Sequence, residues 1–234
     1  MYIREPLIPT LKSFKTTFKI TYKNSTGTAF VTNWNNKQYL ITAKHIFFDC
    51  NSGMNVSFNI FNDQNLDIQS LVFFHDNSLI DIAVIPIEKI CDEVHEIKTS
   101  NAFPIGQECI FMGFPLYEFL KTESDIGTFA IVKKAIVSGR IKNDENDYII
   151  VLDGHNNPGF SGAPIITHNG EIKNAFIIGV ISGYYFQPDK NKIWIEEENN
   201  KKKEVEFIVN SNSGIIISYP NEYIIQIIEK LQKN

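Results

Sequence analysis

Short runs rich in Ile, Val, Phe, Tyr and Thr, each broken within a few residues by Asn, Asp, Gly or Pro, recur along nearly the whole chain. β-Branched and aromatic side chains suit a pleated surface, and the breakers supply the turns between strands. The pattern predicts strands at residues 14–22, 28–32, 39–43, 56–60, 68–74, 82–87, 108–113, 130–141, 148–152, 162–166, 176–183, 192–197, 204–209 and 214–218. More than a dozen short strands at this spacing predict an all-β sandwich or a pair of barrels. One segment reads as a helix, residues 221–233. Asn221 follows Pro220 in position to cap it, and Tyr223, Ile224, Ile227, Ile228 and Leu231 repeat at helical spacing.

The chain has 234 residues, enough for one large domain or two small ones. Polar residues at 98–104 separate two strand-rich halves and predict a division into residues 1–103 and 104–234. No apolar run approaches the roughly 20 residues needed to span a bilayer, so no membrane helix is expected. The formal net charge is −5, which argues against nucleic acid as a partner because phosphate binding needs a concentrated basic surface. Cys50, Cys91 and Cys109 are too few, and too irregularly spaced, for a disulfide framework or a zinc knuckle. Residues 1–6 carry no continuous apolar stretch or small-residue cleavage site, and a cytoplasmic location is the simplest expectation. The charge run at residues 196–203, three Glu, two Asn and three Lys, reads as an exposed hairpin tip.

Residues 157–164, Asn-Pro-Gly-Phe-Ser-Gly-Ala-Pro, hold a serine among glycines. Such a turn can aim the Ser161 hydroxyl outward and gather backbone N–H groups at one point, the two needs of acyl transfer. A hydroxyl is a poor nucleophile without a base. Of the five histidines, His45 follows the apolar run 39–43, which would hold it rigidly, as a general base must be held. His75, His95 and His168 lie in polar contexts and read as structural. The base needs an orienting carboxylate. Asp81 interrupts the apolar run 79–85, where a lone charge costs several kcal/mol unless it is bonded or paired. A surface-facing strand position is the plainer reading of Asp81, and Asp76, in a polar turn, is its rival.

The order His45, Asp81, Ser161 resembles that of chymotrypsin-like serine peptidases. Residues 40–45, Leu-Ile-Thr-Ala-Lys-His, look like that family's apolar–Thr-Ala-x-His motif. Residues 81–84, Asp-Ile-Ala-Val, resemble the Asp motif of its Deg/HtrA branch. Residues 153–164 match that branch's Asp-x-x-x-Asn-Pro-Gly-Asn-Ser-Gly-Gly-Pro at seven of twelve positions. Residues 113–115, 136–140 and 214–220 add supporting strings, so the resemblance runs from about Gly27 to the end and leaves no residues for a PDZ domain. It implies two six-stranded antiparallel β-barrels of chymotrypsin-like fold with a C-terminal helix. His45 and Asp81 would come from the first barrel and Ser161 from the second. The N–H groups of Gly159 and Ser161 would hold the oxyanion. The substrate would be a protein or peptide, no metal or organic cofactor would be needed, and there is room for a regulatory partner.

Several positions depart from the family. Phe160 replaces an Asp or Asn and cannot pair with a freed N-terminus, so no activation by N-terminal trimming is expected. Residues 179–184 resemble the strand that pairs with substrate. There Ser182 would stand near Asp81, Gly183 replaces a large residue, and Tyr184 replaces a glycine at the pocket mouth. His155 lies six residues before Ser161, at the pocket floor of digestive relatives, where it would favour an acidic or polar side chain; an exposed loop histidine is the other reading. The expected activity is that of a serine endopeptidase. A protein-binding module with a closed cleft and an esterase are the alternatives.

Overall fold

The computed structural model describes residues 5–99, 103–115, 130–142, 147–196 and 202–233. Strands β1 (Thr17–Tyr22), β2 (Ser25–Trp34), β3 (Lys37–Thr42), β4 (Met54–Phe61), β5 (Asn65–Phe74) and β6 (Ala83–Ile87) close into an antiparallel barrel in the order β1-β2-β3-β6-β5-β4. The two-residue β7 (Glu96–Ile97) lies before the expected division at 103, yet it pairs in parallel with the second sheet. That sheet holds β8 (Glu108–Gly113), β9 (Ile131–Lys142), β10 (Tyr148–Asp153), β11 (Pro164–Thr167), β12 (Phe176–Glu196) and β13 (Lys202–Pro220). Their order is β11-β8-β9-β10-β13-β12, and β12 pairs back to β11, which closes a second six-stranded antiparallel circuit. With the C-terminal helix below, this is the chymotrypsin-like fold.

Why the central strands are apolar on both faces follows from where each face points. Successive side chains of a strand point to opposite faces. Along β2 and β3, Ala29, Val31 and Leu40 enter the core of the first barrel, while Phe30, Tyr39 and Ile41 enter a core between the barrels. On β12, Ile178 and Ile181 fill the second barrel, and Ile177 and Val180 face the shared core. The outer strand β4, with one face toward water, shows the simple alternation of buried Val56, Phe58 and Ile60 with more exposed neighbours. At about 25 cal/mol per Å² of apolar surface, the shared core is a main reason the two barrels dock firmly.

The C-terminal helix, α2 (Asn221–Lys233), contributes Tyr223, Ile224, Ile227 and Ile228 to that shared core, as their spacing predicts. Asn221 does not cap it with its oxygen. Its buried side-chain amide instead donates to the carbonyls of Lys98 and Ile177, at 2.8 and 2.7 Å, tying the helix start to the barrel. The segment expected to begin a strand at residue 14 instead holds a one-turn helix, α1 (Leu11–Lys15). Thr10 and Ser13 form a reciprocal capping box there, a local bond pattern that outweighs strand propensity. The four strands expected at 176–183, 192–197, 204–209 and 214–218 fuse into β12 and β13, because the two strands pair as far as Glu196 and Lys202. Residues 197–201, most of the expected hairpin tip, lie outside the described residues. Among the described residues no helix is long and apolar enough to cross a membrane.

Candidate active site

His45 stands just past β3, in a single 3-10 turn (Lys44–Phe47) whose Ile46 and Phe47 are buried in the first barrel. Those two anchors leave the imidazole at the barrel rim, about half exposed. Asp81 precedes β6. Its neighbours Ile80 and Ile82 are buried in the shared core, so strand alternation turns the carboxylate the other way. There it accepts from the His45 main-chain N–H at 2.9 Å through Oδ1 and from His45 Nδ1 at 2.7 Å through Oδ2. A carboxylate is acceptor-only when ionised, so the proton sits on Nδ1 and Nε2 keeps its lone pair. The hydrogen bond that His45 donates to Asp81 is the main reason the His45 pKa is raised above its usual value, against the opposing effect of burial. The rival carboxylate, Asp76, pairs instead with Lys230 at 2.5 Å.

Ser161 lies in the turn between β10 and β11. Phe160 and Ala163 on either side are buried in the second core, with Phe160 edge-on to Phe111 at 5.0 Å between ring centres. This leaves Ser161 facing the junction of the barrels. Its hydroxyl donates to the Ser182 carbonyl at 3.1 Å, and Ser182 Oγ donates to Asp81 Oδ2 at 2.5 Å. Ser182 therefore joins the serine of the second barrel to the carboxylate of the first. In this conformation the Ser161 hydroxyl points to that carbonyl rather than to the imidazole. Among the described residues the N–H groups of Gly159 and Ser161 donate to no protein acceptor. An unpaired N–H in a partly buried turn is costly unless water or a ligand takes it.

Three residues that sequence reasoning passed over hold this turn. Thr28, fully buried on β2, donates through Oγ1 to the Gly159 carbonyl at 2.7 Å, receives the Phe114 N–H at 3.2 Å, and sends its own N–H to the Ser161 carbonyl at 2.8 Å. Thr42 Oγ1 donates to the Thr28 carbonyl at 2.7 Å. Lys133 on β9 donates to the His155 carbonyl at 2.8 Å and to Asn157 Oδ1, with its ammonium 5.3 Å from the Phe160 ring centre. Desolvation there lowers the Lys133 pKa. A lysine or threonine reads as ordinary strand composition; of the three only Thr42 stands in a quoted motif, and that motif gave it no role.

Of the residues expected around the pocket, Ser182 is bonded to Asp81 as its position predicted. Gly183 and Tyr184 are half-buried on β12, and the Tyr184 ring lies 4.8 Å from that of Phe186. His155 is exposed, and it is the main-chain carbonyl that the structure holds in place. His95 is buried between Ser13 and the Ala175 carbonyl, at 2.8 and 3.0 Å, and His75 bonds Gln226 at 2.7 Å. Among the described residues no group of three or more His, Cys, Asp or Glu is placed to hold a metal ion.

A positioned base, an oriented carboxylate, an outward hydroxyl and two open N–H donors are the parts that acyl transfer requires. The family model for the trypsin-like peptidase domain matches residues 27–173. No curated protein sequence matches the chain. Among solved structures, a serine endoprotease from Yersinia pestis superposes with a TM-score of 0.61 at 18% identity, covering 97% of this chain and 69% of that one. The HtrA-type protease AlgW with a tripeptide gives 0.61 at 15% identity, covering 95% of this chain and 64% of that one. Rv3671c from M. tuberculosis H37Rv, in an inactive form, gives 0.60 at 12% identity, covering 99% and 98%. At such identities the likeness is one of fold, and the chain spans less than two thirds of the AlgW structures, 61% and 64%.

Proposed function

The chain belongs to the family of trypsin-like peptidase domains, and from that premise we propose that it is a serine endopeptidase using His45, Asp81 and Ser161 through an acyl-enzyme intermediate. Ser161 Oγ attacks the scissile carbonyl while His45 Nε2 takes its proton. Asp81 holds the tautomer and stabilises the imidazolium. The open N–H groups of Gly159 and Ser161 receive the oxyanion, each such donor contributing roughly 3–4 kcal/mol to the transition state. His45 then returns the proton to the leaving amine, and water repeats the sequence on the ester. The observation that carries this reading is the Asp81 carboxylate, bonded at once to the main chain and ring of His45 and to the hydroxyl of Ser182, whose carbonyl receives the Ser161 hydroxyl.

The attack needs the Ser161 side chain to swing from the Ser182 carbonyl to the imidazole. That turned-away hydroxyl favours a second reading, a peptide-binding module whose cleft stays catalytically silent. A fluorophosphonate probe separates the two. Covalent labelling of the wild type, lost in Ser161→Ala, is the expected result. An unlabelled wild type that still binds peptides would make the module the correct reading. Cleavage of a peptide library, rather than of simple esters alone, excludes an esterase.

The general base must be neutral to act, so kcat/KM rises as His45 loses its proton. Since Asp81 raises that pKa, the acid limb of the pH profile should have its midpoint above the usual histidine value of about 6.5. The same shift links to stability with the opposite dependence. The protonated His45–Asp81 pair contributes fully below the unfolded value and is lost as pH rises through the folded one. A kcat/KM profile with its acid midpoint well below 6 would contradict the pairing.

A further inference from the structure

Residues 157–160 form a tight turn closed by the Phe160 N–H, which donates to the Asn157 carbonyl at 3.3 Å. Pro158 takes the first central position and Gly159 the second, where φ is +101°. Proline first and a positive φ second are the marks of a type II turn. The type I alternative has the same ends, but its central peptide is turned over and φ at the second position is about −90°. That central peptide carries the Gly159 N–H, one of the two open donors. Whatever keeps the turn in its present form therefore decides where this donor points.

Lys133 touches residues on both sides of the central peptide. Its ammonium donates to the His155 carbonyl at 2.8 Å and to the Asn157 side-chain oxygen, which precede that peptide. It also lies 5.3 Å from the ring centre of Phe160, which follows it. The Phe160 ring is itself fixed, fully buried and edge-on to Phe111. Lys133 stands on β9 directly across from Phe111 on β8, so it reaches the turn from the wall of the second barrel. The lysine is half-buried, and a cation drawn partly out of water holds oxygens and a ring face more strongly than a solvated one.

We propose that Lys133 is a positioning residue for the oxyanion donors: its ammonium holds the turn at residues 157–160 in the form that aims the Gly159 N–H at the substrate oxygen. The inference rests on the peptidase reading and goes beyond it, because the open donor then depends on one cation outside the triad. Lys133 touches no reacting atom and acts through Asn157 and Phe160. Without it the turn keeps its closing bond and the bond from Thr28 to the Gly159 carbonyl, so the chain still folds, but the central peptide is free to turn over. An oxyanion donor acts on charge that develops in the transition state, so its misplacement lowers kcat and spares KM.

The test compares the wild type with Lys133→Met, which keeps an unbranched apolar stem, and with Lys133→Arg, which keeps the cation. The substrate is an amide taken from a peptide library, and circular dichroism verifies folding. Lys133→Met should lower kcat about thirtyfold, short of the roughly hundredfold loss that follows when an oxyanion donor is removed outright. Its KM should stay within about threefold of the wild type, and Lys133→Arg should keep kcat within about the same factor. If Lys133→Met does not fold, Asn157→Ala reads the same contact with the lysine in place, and should lower kcat about tenfold at unchanged KM. A folded Lys133→Met or Asn157→Ala with the kcat of an active wild type overturns the inference and leaves the peptidase reading intact. A raised KM at unchanged kcat overturns it too, since the lysine would then serve only substrate binding. Lys133→Arg as slow as Lys133→Met overturns the role of the charge. A wild type that neither cleaves peptides nor takes the fluorophosphonate label overturns the peptidase reading and this inference together.

Discussion

Asp81→Asn is expected to lower kcat by about four orders of magnitude while leaving the fold intact. Asparagine has nearly the shape of aspartate, and its oxygen can still accept the His45 main-chain N–H now held at 2.9 Å. Its nitrogen would face Nδ1, where a carboxylate oxygen now accepts at 2.7 Å. Two donors cannot share one bond, so the imidazole proton moves to Nε2, the atom that must be free to take the Ser161 proton. The Ser182 hydroxyl, which donates to the same carboxylate oxygen, loses its acceptor as well. Turnover of a library-derived peptide measures the loss, and circular dichroism verifies folding. The acid limb should also move toward lower pH once the carboxylate that raises the His45 pKa is gone. A fall in kcat of less than tenfold would mean that the carboxylate is not what orients the base.

The second large effect concerns stability. Gly162→Ala should destabilise the protein by about 4 kcal/mol, the sum of a strained backbone and an overpacked contact. Gly162 has φ of +85°, in the region that side chains rarely adopt. A methyl group there would lie 2.8 Å from the Ala43 nitrogen and closer still to the Thr28 carbonyl oxygen and Thr42 Oγ1. All three belong to the first barrel, so neither the turn nor its neighbours can yield without parting the barrels. Since a domain of this size has roughly 5–15 kcal/mol in hand, the midpoint of thermal unfolding should fall by about 10 °C or more. Gly170→Ala is the control, because φ there is +105° but nothing lies within 4 Å. Equal losses at the two positions would show that backbone strain alone accounts for the effect.

Strand positions and the C-terminal helix were legible because each rests on a local pattern, whereas the nearness of residues 45, 81 and 182 was implied only by the family resemblance. Period-two runs give strands, period-3.6 spacing gives α2, and a charge between Ile80 and Ile82 must turn away from the core those two fill. What was not legible depends on distance along the chain. Thr28 bonds Gly159 across 131 positions, and no local rule distinguishes it from other threonines in strands. Lys133 has the same property, since its partners are a carbonyl and an amide in a loop 22 and 24 residues further on. Asn221 sits where a cap is expected, but its partners, the carbonyls of Lys98 and Ile177, are remote in the chain. At residue 14 the aromatic and β-branched run favours a strand, but the reciprocal capping box of Thr10 and Ser13 starts a helical turn there.

The grip of Thr28 and Thr42 on the turn at residues 159–162 has a bearing on the protein's own biosynthesis. Synthesis from the N-terminus completes the first barrel before the serine turn exists, and the second half alone lacks the hydroxyls and carbonyl that shape that turn. A nascent or clipped chain thus has no ready-made nucleophile seat. The seat of Ser161 takes its shape only when both halves have docked.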